Sequence, residues 1–517
     1  MEALDWLVIG VFFLALIGII VWVVRQKQND SADYFLGGRD ATWLAIGASI
    51  FASNIGSEHL IGLAGAGASS GMAMAHWEIQ GWMILILGWV FVPFYSRSMV
   101  YTMPEFLERR YNPQSRTILS VISLVSYVLT KVAVTVYAGG LVFQQVFGIK
   151  ELWGIDFFWI AAIGLVVLTA LYTIFGGMKS VLYTSVLQTP ILLLGSLIIL
   201  VLGFKELGGW DEMMRVCGAV TVNDYGDTMT NLIRSNDDAN FPWLGALIGS
   251  AIIGFWYWCT DQFIVQRVLS GKNEMEARRG TIFGAYLKLL PVFLFLIPGM
   301  IAFALHQKYI GAGGEGFLPM LENGTANADA AFPTLVAKLL PAGVKGLVVC
   351  GILAALMSSL ASLFNSSAMF FTIDFYKRFR PQTSEKKLVG IGQVATVVIV
   401  ILGILWIPIM RSVGDVLYTY LQDVQSVLAP GIAAAFLLGI CWKRTSAQGG
   451  MWGLIAGMVI GLTRLGAKVY YSNAGEVADS TFKYLFYDMN WLFFCGWMFL
   501  FCIIVVIVVS LATEAPT

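Results

Sequence analysis

Charge is what this sequence has least of. Only 12% of its 517 residues are Asp, Glu, Lys or Arg, about half the roughly 25% usual in a water-soluble domain, which excludes water as the main solvent. Cysteine is also sparse: six are scattered along the chain, with no CxxC or His/Cys spacing suited to a metal. Only Cys217 lies in a clear polar loop, so no disulfide framework is expected. No GxxxxGK[ST] occurs, which argues against ATP-driven pumping, and no enzyme activity or nucleic-acid partner is expected. The N-terminus lacks a basic leader region and a small-residue cleavage site, so its first apolar run reads as a retained span.

What is abundant is apolar surface. The chain is 58% hydrophobic with a mean hydropathy of +0.76. Runs of 18 or more apolar residues recur, each long enough to cross a hydrocarbon core of roughly 30 Å as a helix. The fold class is therefore an all-α polytopic membrane protein in a lipid bilayer. Hydropathy predicts about thirteen transmembrane helices, at 3–25, 42–69, 77–97, 117–147, 156–176, 180–204, 243–267, 276–306, 337–376, 387–408, 413–441, 448–470 and 490–512. Placing the N-terminus outside puts nineteen Lys and Arg in inner segments and seven in outer ones, the bias that orients membrane proteins. The C-terminus is then inside. A plasma membrane or a bacterial inner membrane fits equally.

Ionisable residues inside spans cost about 2.5–3.5 kcal/mol each on insertion scales and mark function by default. Here they are Glu58, His59, Glu78, Lys131, Asp261 and Lys288. Asp261 and Arg267 are expected to form a structural ion pair, and Lys131 to snorkel or pair. Lys288 is too central to snorkel, so it needs a partner or an aqueous cavity. Ser runs beside Ala and Gly often only let membrane helices approach. Ala355, Ser358, Ser359 and Ser362, however, share one helical face, and two adjacent hydroxyls supply hard oxygen ligands for a small cation. They cannot complete its shell alone. The stretch SNIGSEH (53–59) offers the remainder, because its Ser, Asn and Gly disfavour helix. Unwound backbone at membrane depth is tolerated only inside protein or along a water-filled cavity, and freed carbonyls there bind sodium in secondary transporters.

These segments resemble the sodium/glucose cotransporter branch of the solute:sodium symporters. The likeness is carried, in order, by ASNIGSEHLIGLAG (52–65), GWVFVPFY (88–95), TMPEFLERRY (102–111), ALYTIFGGMKSVLYTSVLQT (170–189), WYWCTDQFIVQR (256–267), AYLKLLP (285–291), LMSSLASLFNS (356–366) and APGIAAAFLLGICWKR (429–444). It implies a leucine-transporter-like inverted repeat of five plus five helices over 42–441. An extra helix and inner loop (1–41) would precede this core, and two C-terminal helices (442–517) would follow.

The resemblance further implies a sodium site of the Ala52, Ile55 and Ala355 carbonyls with the Ser358 and Ser359 hydroxyls. It implies a sugar site of Asn54, His59, Glu78, Lys288 and Gln422, with Tyr257 beneath the sugar ring as an inner gate, Trp258 lining the pocket and Trp77 as an outer lid. Relatives that couple two sodium ions carry Asp and Thr where this chain has Ser185 and Ala361, so one Na+ per sugar is expected. Ile79, Gly254 and Gln425 fall at pocket-adjacent positions that vary, leaving the particular sugar open. The implied function is sodium-coupled import of a hexose (glucose- or galactose-like) by alternating access. The alternatives are myo-inositol, another polyol or a carboxylated solute on the same fold, coupling by protons through His59 or Glu58, or a sugar sensor that does not accumulate substrate.

Overall fold

A computed structural model describes residues 1–517 except 27–29, 57, 322–323, 414–416, 474–478 and 517. Within helices, the side chains of 129–130, 141, 145, 407, 409–413, 417–423, 469 and 472–473 also lie outside the description. Nearly all regular structure is helical; a two-residue hairpin, β1 (Glu151–Leu152) with β2 (Ile155–Asp156), makes one short turn.

The helices turn their apolar residues outward as well as inward, as lipid demands. On α1 (Ala3–Arg25), Leu7, Val11 and Leu14 are 60–71% exposed, while Phe12, Leu16 and Val23 are buried. The polar start of α1 is tied down instead. Buried Asp5 accepts backbone N–H bonds from Gly343 (2.7 Å) and Gly346 (2.8 Å), at the head of a long helix that starts at Val344.

After α1 come α2 (Trp43–Asn54), α3 (58–70), α4 (71–98), α5 (113–147), α6 (157–176) and α7 (178–207). The second half holds α8 (243–260), α9 (Gln262–Leu269), α10 (Glu274–Gly311), α11 (Val344–Phe379), α12 (Glu385–Val413), α13 (Leu417–Cys441), α14 (Ala447–Asn473) and α15 (Trp491–Ala512). Among the described residues, ten helices are long and apolar enough to cross a membrane, rather than the thirteen expected from hydropathy. The difference lies in where runs break. One continuous run holds α3 and α4, turning at Gly71 (φ 76°), and another holds α6 and α7, turning at Gly177 (φ 53°). A Cβ at Gly177 would lie 2.3 Å from the Tyr34 carbonyl oxygen, so glycine alone permits that turn. The expected spans 42–69 and 117–147 are both present as interrupted helices.

Helix α11 is the centre of the molecule: every residue from Ala354 to Phe370 is buried. It packs along the α6–α7 run and against α2. Several helices widen locally into π-type turns, at Glu58–Leu63, Tyr127–Val132, Phe255–Thr260 and Val292–Leu296. Such turns recur at functional sites, and these carry or adjoin His59, Lys131, Tyr257 and Lys288.

Candidate ion and solute site

Two helices are broken part-way along their length. Helix α2 ends at Asn54; Ile55 is extended (φ −76°, ψ 102°), and α3 resumes at Glu58. This is the unwinding expected of SNIGSEH. The second break, at Asp261 (φ −75°, ψ 129°), separates α8 from α9 and was not expected from hydropathy. The Asp261 carboxylate caps α9 by accepting from the Phe263 backbone N–H at 3.2 Å.

Around the first break the ionisable residues close on one another. Lys288 Nζ donates to Asn54 Oδ1 at 2.5 Å and lies 2.6 Å from Glu78 Oε2 and 2.8 Å from His59 Nε2. His59 Nε2 is 3.1 Å from Glu78 Oε1, and Asn54 Nδ2 donates to the Tyr257 hydroxyl at 3.0 Å. The Lys288 ammonium also sits 5.6 Å from the Trp258 ring centre. Asn54, His59, Glu78, Trp258 and Lys288 are each at most 7% exposed. Pro291 explains where Lys288 stands: it cannot continue the backbone ladder, so the first half of α10 ends at Leu287 and Lys288 projects from the turn. Of the residues implied for the sugar, Asn54, His59, Trp77, Glu78, Tyr257, Trp258 and Lys288 line one pocket. Gln422 lies outside the described side chains. Trp77 leans on Trp491, with ring centres 5.7 Å apart.

Three further polar residues border this pocket. Glu58 is half-buried there, Gln425 is buried, and Gln80 Oε1 is buried with no hydrogen-bond partner among the described residues. Gln80 reaches in because position 254 is glycine: a Cβ there would meet Oε1 at 2.7 Å. Ile79, by contrast, is 49% exposed and points away from the pocket. The remaining space is about 20 Å³, room for about one water and not for a sugar ring. The pocket is closed on its own polar groups.

Tyr257 is the floor. Its ring lies 4.9 Å from Lys131 Nζ, and that ammonium pairs with Asp261 Oδ2 at 2.7 Å. The Asp261–Arg267 ion pair expected from the sequence is therefore not formed. The extended backbone at Asp261 turns its carboxylate toward α5, 130 residues earlier in the chain.

Below the floor lies the serine crossing of α2 and α11. Ser359 Oγ donates to the Ser53 carbonyl at 2.7 Å and to the Ile55 carbonyl at 3.4 Å. Ser358 Oγ is 3.3 Å from Ser53 Oγ and 3.4 Å from Ser185 Oγ. Ala52 and Ala355 are buried on the same two helices. Ser53, whose carbonyl and hydroxyl both take part, was missed in the sequence; the signal was its place one residue before the break. Arg267 takes partners other than the expected Asp261. Its guanidinium is bound to the hydroxyls of Ser49, Ser53 and Ser362.

A broken helix whose carbonyls meet Ser359, directly beside a closed polar pocket, is the arrangement of ion-coupled transport. The sodium:solute symporter family profile matches residues 34–457. The chain belongs to the sodium:solute symporter family. This symporter is 37% identical to sodium/myo-inositol cotransporter 2 of Mus musculus, over all of this chain and 78% of that protein. It is 36% identical to sodium/glucose cotransporter 4 of Danio rerio, over 99% of this chain and 79% of that one. A Na+-coupled sialic acid symporter, solved in a substrate-bound outward-open state, superposes over all of this chain and 99% of its own with a TM-score of 0.79 at 20% identity. The symporter thus has the leucine-transporter-like, multi-pass all-α fold, is a transporter and not an enzyme, and carries Na+ as the co-transported ion with a small-molecule solute.

Proposed function

We propose that this symporter imports a hexose of the glucose or galactose type, one Na+ per sugar, by alternating access. The observation that carries the reading is the turn at 53–55. Its backbone carbonyls hold Ser359, and its Asn54 side chain holds Lys288 and Tyr257. One turn thus touches both the proposed ion ligands (the Ala52, Ile55 and Ala355 carbonyls with Ser358 and Ser359) and the proposed sugar ligands (Asn54, His59, Glu78, Lys288 and Gln422, between Trp77, Tyr257 and Trp258). A neutral polyol suits the pocket, since amide, carboxylate and ammonium groups serve its hydroxyls while aromatic faces cover its C–H surfaces. Lys288 and Glu78 already neutralise each other, so an anionic solute finds no free positive partner there. The single-ion reading rests on Ser185, whose hydroxyl donates to the Val181 carbonyl at 2.7 Å and brings no carboxylate to a second site.

The transport core is taken as 42–441, flanked by 1–41 and 442–517, with the N-terminus outside and the C-terminus inside. A second reading keeps the fold and replaces the hexose by myo-inositol; it is favoured by the sodium/myo-inositol cotransporters among the similar proteins. The test is sodium-driven uptake into proteoliposomes with glucose, galactose and myo-inositol in competition. Preferential, sodium-dependent accumulation of a hexose is expected. Preference for inositol selects the second reading, and uptake that follows a proton gradient without sodium refutes the ion assignment.

A further inference from the structure

We propose that Arg267 is a built-in cation that stands one hydroxyl from the ion site when sodium is absent and has to withdraw for sodium to bind. This rests on the placement of sodium at Ser358 and Ser359 above. Arg267 is 1% exposed and reaches from α9, the half-helix after the Asp261 break, into the crossing of α2 and α11. Nε lies 3.1 Å from Ser49 Oγ and 3.2 Å from Ser53 Oγ; Nη2 lies 2.7 Å from Ser53 Oγ and also bonds Ser362 Oγ. Ser53 Oγ is in turn 3.3 Å from Ser358 Oγ, so one hydroxyl separates the guanidinium from a proposed sodium ligand.

The partners are the unusual part. A buried guanidinium ordinarily takes a carboxylate in a two-point grip. Here the carboxylate six residues earlier, Asp261, is held by Lys131, and Arg267 makes no ion pair among the described residues. Its Nη1 has no hydrogen-bond partner among them either. The charge is solvated by neutral hydroxyls, as a metal ion in the same serine cluster would be. Two like charges one hydroxyl apart in a buried site repel strongly, so sodium and the guanidinium in this position exclude one another. Because Arg267 rides on α9, its withdrawal moves a half-helix relative to α2 and α11. Sodium affinity is thereby coupled to the position of α9.

The alternative is a static strut, in which Arg267 merely orients Ser53 and Ser362 for the ion. The two accounts predict opposite signs. The experiment measures the sodium concentration for half-maximal uptake, and for half-maximal thermal stabilisation of the purified transporter, in Arg267→Gln, Arg267→Lys and Ser362→Ala. A displaced cation predicts at least a tenfold lower sodium requirement for Arg267→Gln and about threefold lower for Ser362→Ala, with Arg267→Lys within twofold of the parent. An unchanged or raised requirement in folded Arg267→Gln overturns the proposal. Should that variant fail to fold, an unchanged or raised requirement in Ser362→Ala overturns it equally. Ser359→Ala separates the two layers: if it leaves sodium affinity intact, the ion placement itself is wrong. If it weakens sodium while Arg267→Gln does not strengthen it, only the Arg267 assignment falls.

Discussion

Replacing Ser359 by alanine tests the proposed ion site with the smallest change the structure allows. Without sodium, the Ser359 hydroxyl donates to the Ser53 carbonyl at 2.7 Å and more weakly to Ile55 at 3.4 Å. Losing a neutral bond of this kind costs about 1 kcal/mol. With sodium in place the same oxygen would face a cation, and charge-assisted contacts are worth about 1.5–3 kcal/mol. The difference falls on sodium affinity, so Ser359→Ala should weaken it by about 1–2 kcal/mol, roughly 5- to 30-fold, while the melting temperature in sodium-free buffer moves little. Gly56→Ala supports the same reasoning without removing a ligand: the new Cβ would lie 2.7 Å from Ser359 Oγ and push the hydroxyl aside. The assay is solute uptake against sodium concentration in proteoliposomes, alongside sodium-dependent thermal stabilisation. An unchanged sodium half-saturation in folded Ser359→Ala refutes the reasoning, because no other proposed side-chain ligand has this geometry toward the 53–55 turn.

Other perturbations separate the pocket, its floor and the loop beside it. Glu78→Ala leaves the Lys288 ammonium buried without its carboxylate, an effect of about 3–5 kcal/mol for a broken buried pair; a lower melting temperature and a higher sugar half-saturation are expected, and unaltered uptake kinetics would remove Glu78 from the site. Asp261→Asn strips the counter-charge from Lys131 beneath Tyr257 and should lower the maximal uptake rate more than sugar affinity, as measured by initial rates; a pure affinity change would argue against a gating role. In the 208–242 connection, burial pushes the Asp238 carboxyl up, but bonds from the Phe241 and Asn240 N–H groups and Asn223, with Arg234 beside it, hold it below its ordinary value. The stabilisation is therefore present above pH about 4 and lost as pH falls further, so proteolysis of this connection should rise at low pH in the parent and be fast at neutral pH in Asp238→Ala.

How far the sequence could be read depends on whether a signal is local. The 53–59 stretch was legible because Ser, Asn and Gly in an apolar run are anomalous in themselves, and the structure breaks the helix there. Lys288 was legible as a residue in need of a partner for the same reason. Partner identity was not legible. Lys131 and Asp261 meet across 130 residues, and the expected pair with Arg267 assumed only that two opposite charges near the end of one span would meet. The break at Asp261 removes that assumption and sends the two side chains to different helices. Gln80 escaped because its role depends on an absence elsewhere, the missing side chain of Gly254. Ten continuous apolar helices stand against thirteen expected spans because α3–α4 and α6–α7 each stay one run through the turns at Gly71 and Gly177, where hydropathy places a boundary.

Coupling follows from the way both halves of the site are satisfied without ligands. On the pocket side Lys288, Glu78, His59 and Asn54 serve one another; on the ion side Ser359 and Arg267 serve the carbonyls and hydroxyls of the same helix end. At the proposed sites a ligand on either side would have to replace internal contacts of the 53–55 turn, and once it had done so the turn would already be loosened for the other. One sodium ion supplies about 2.3 kcal/mol from 100 mV and about 1.4 kcal/mol from a tenfold gradient, enough to concentrate a neutral solute several hundredfold. That energy is delivered through residues common to both proposed sites, so hexose and inositol would be driven alike. The choice between them then falls to pocket groups outside the shared turn. Among the described residues, Gln80, with its free carbonyl oxygen over Gly254, and Gln425 are the two amides so placed, and solute selectivity should change with them while sodium dependence does not.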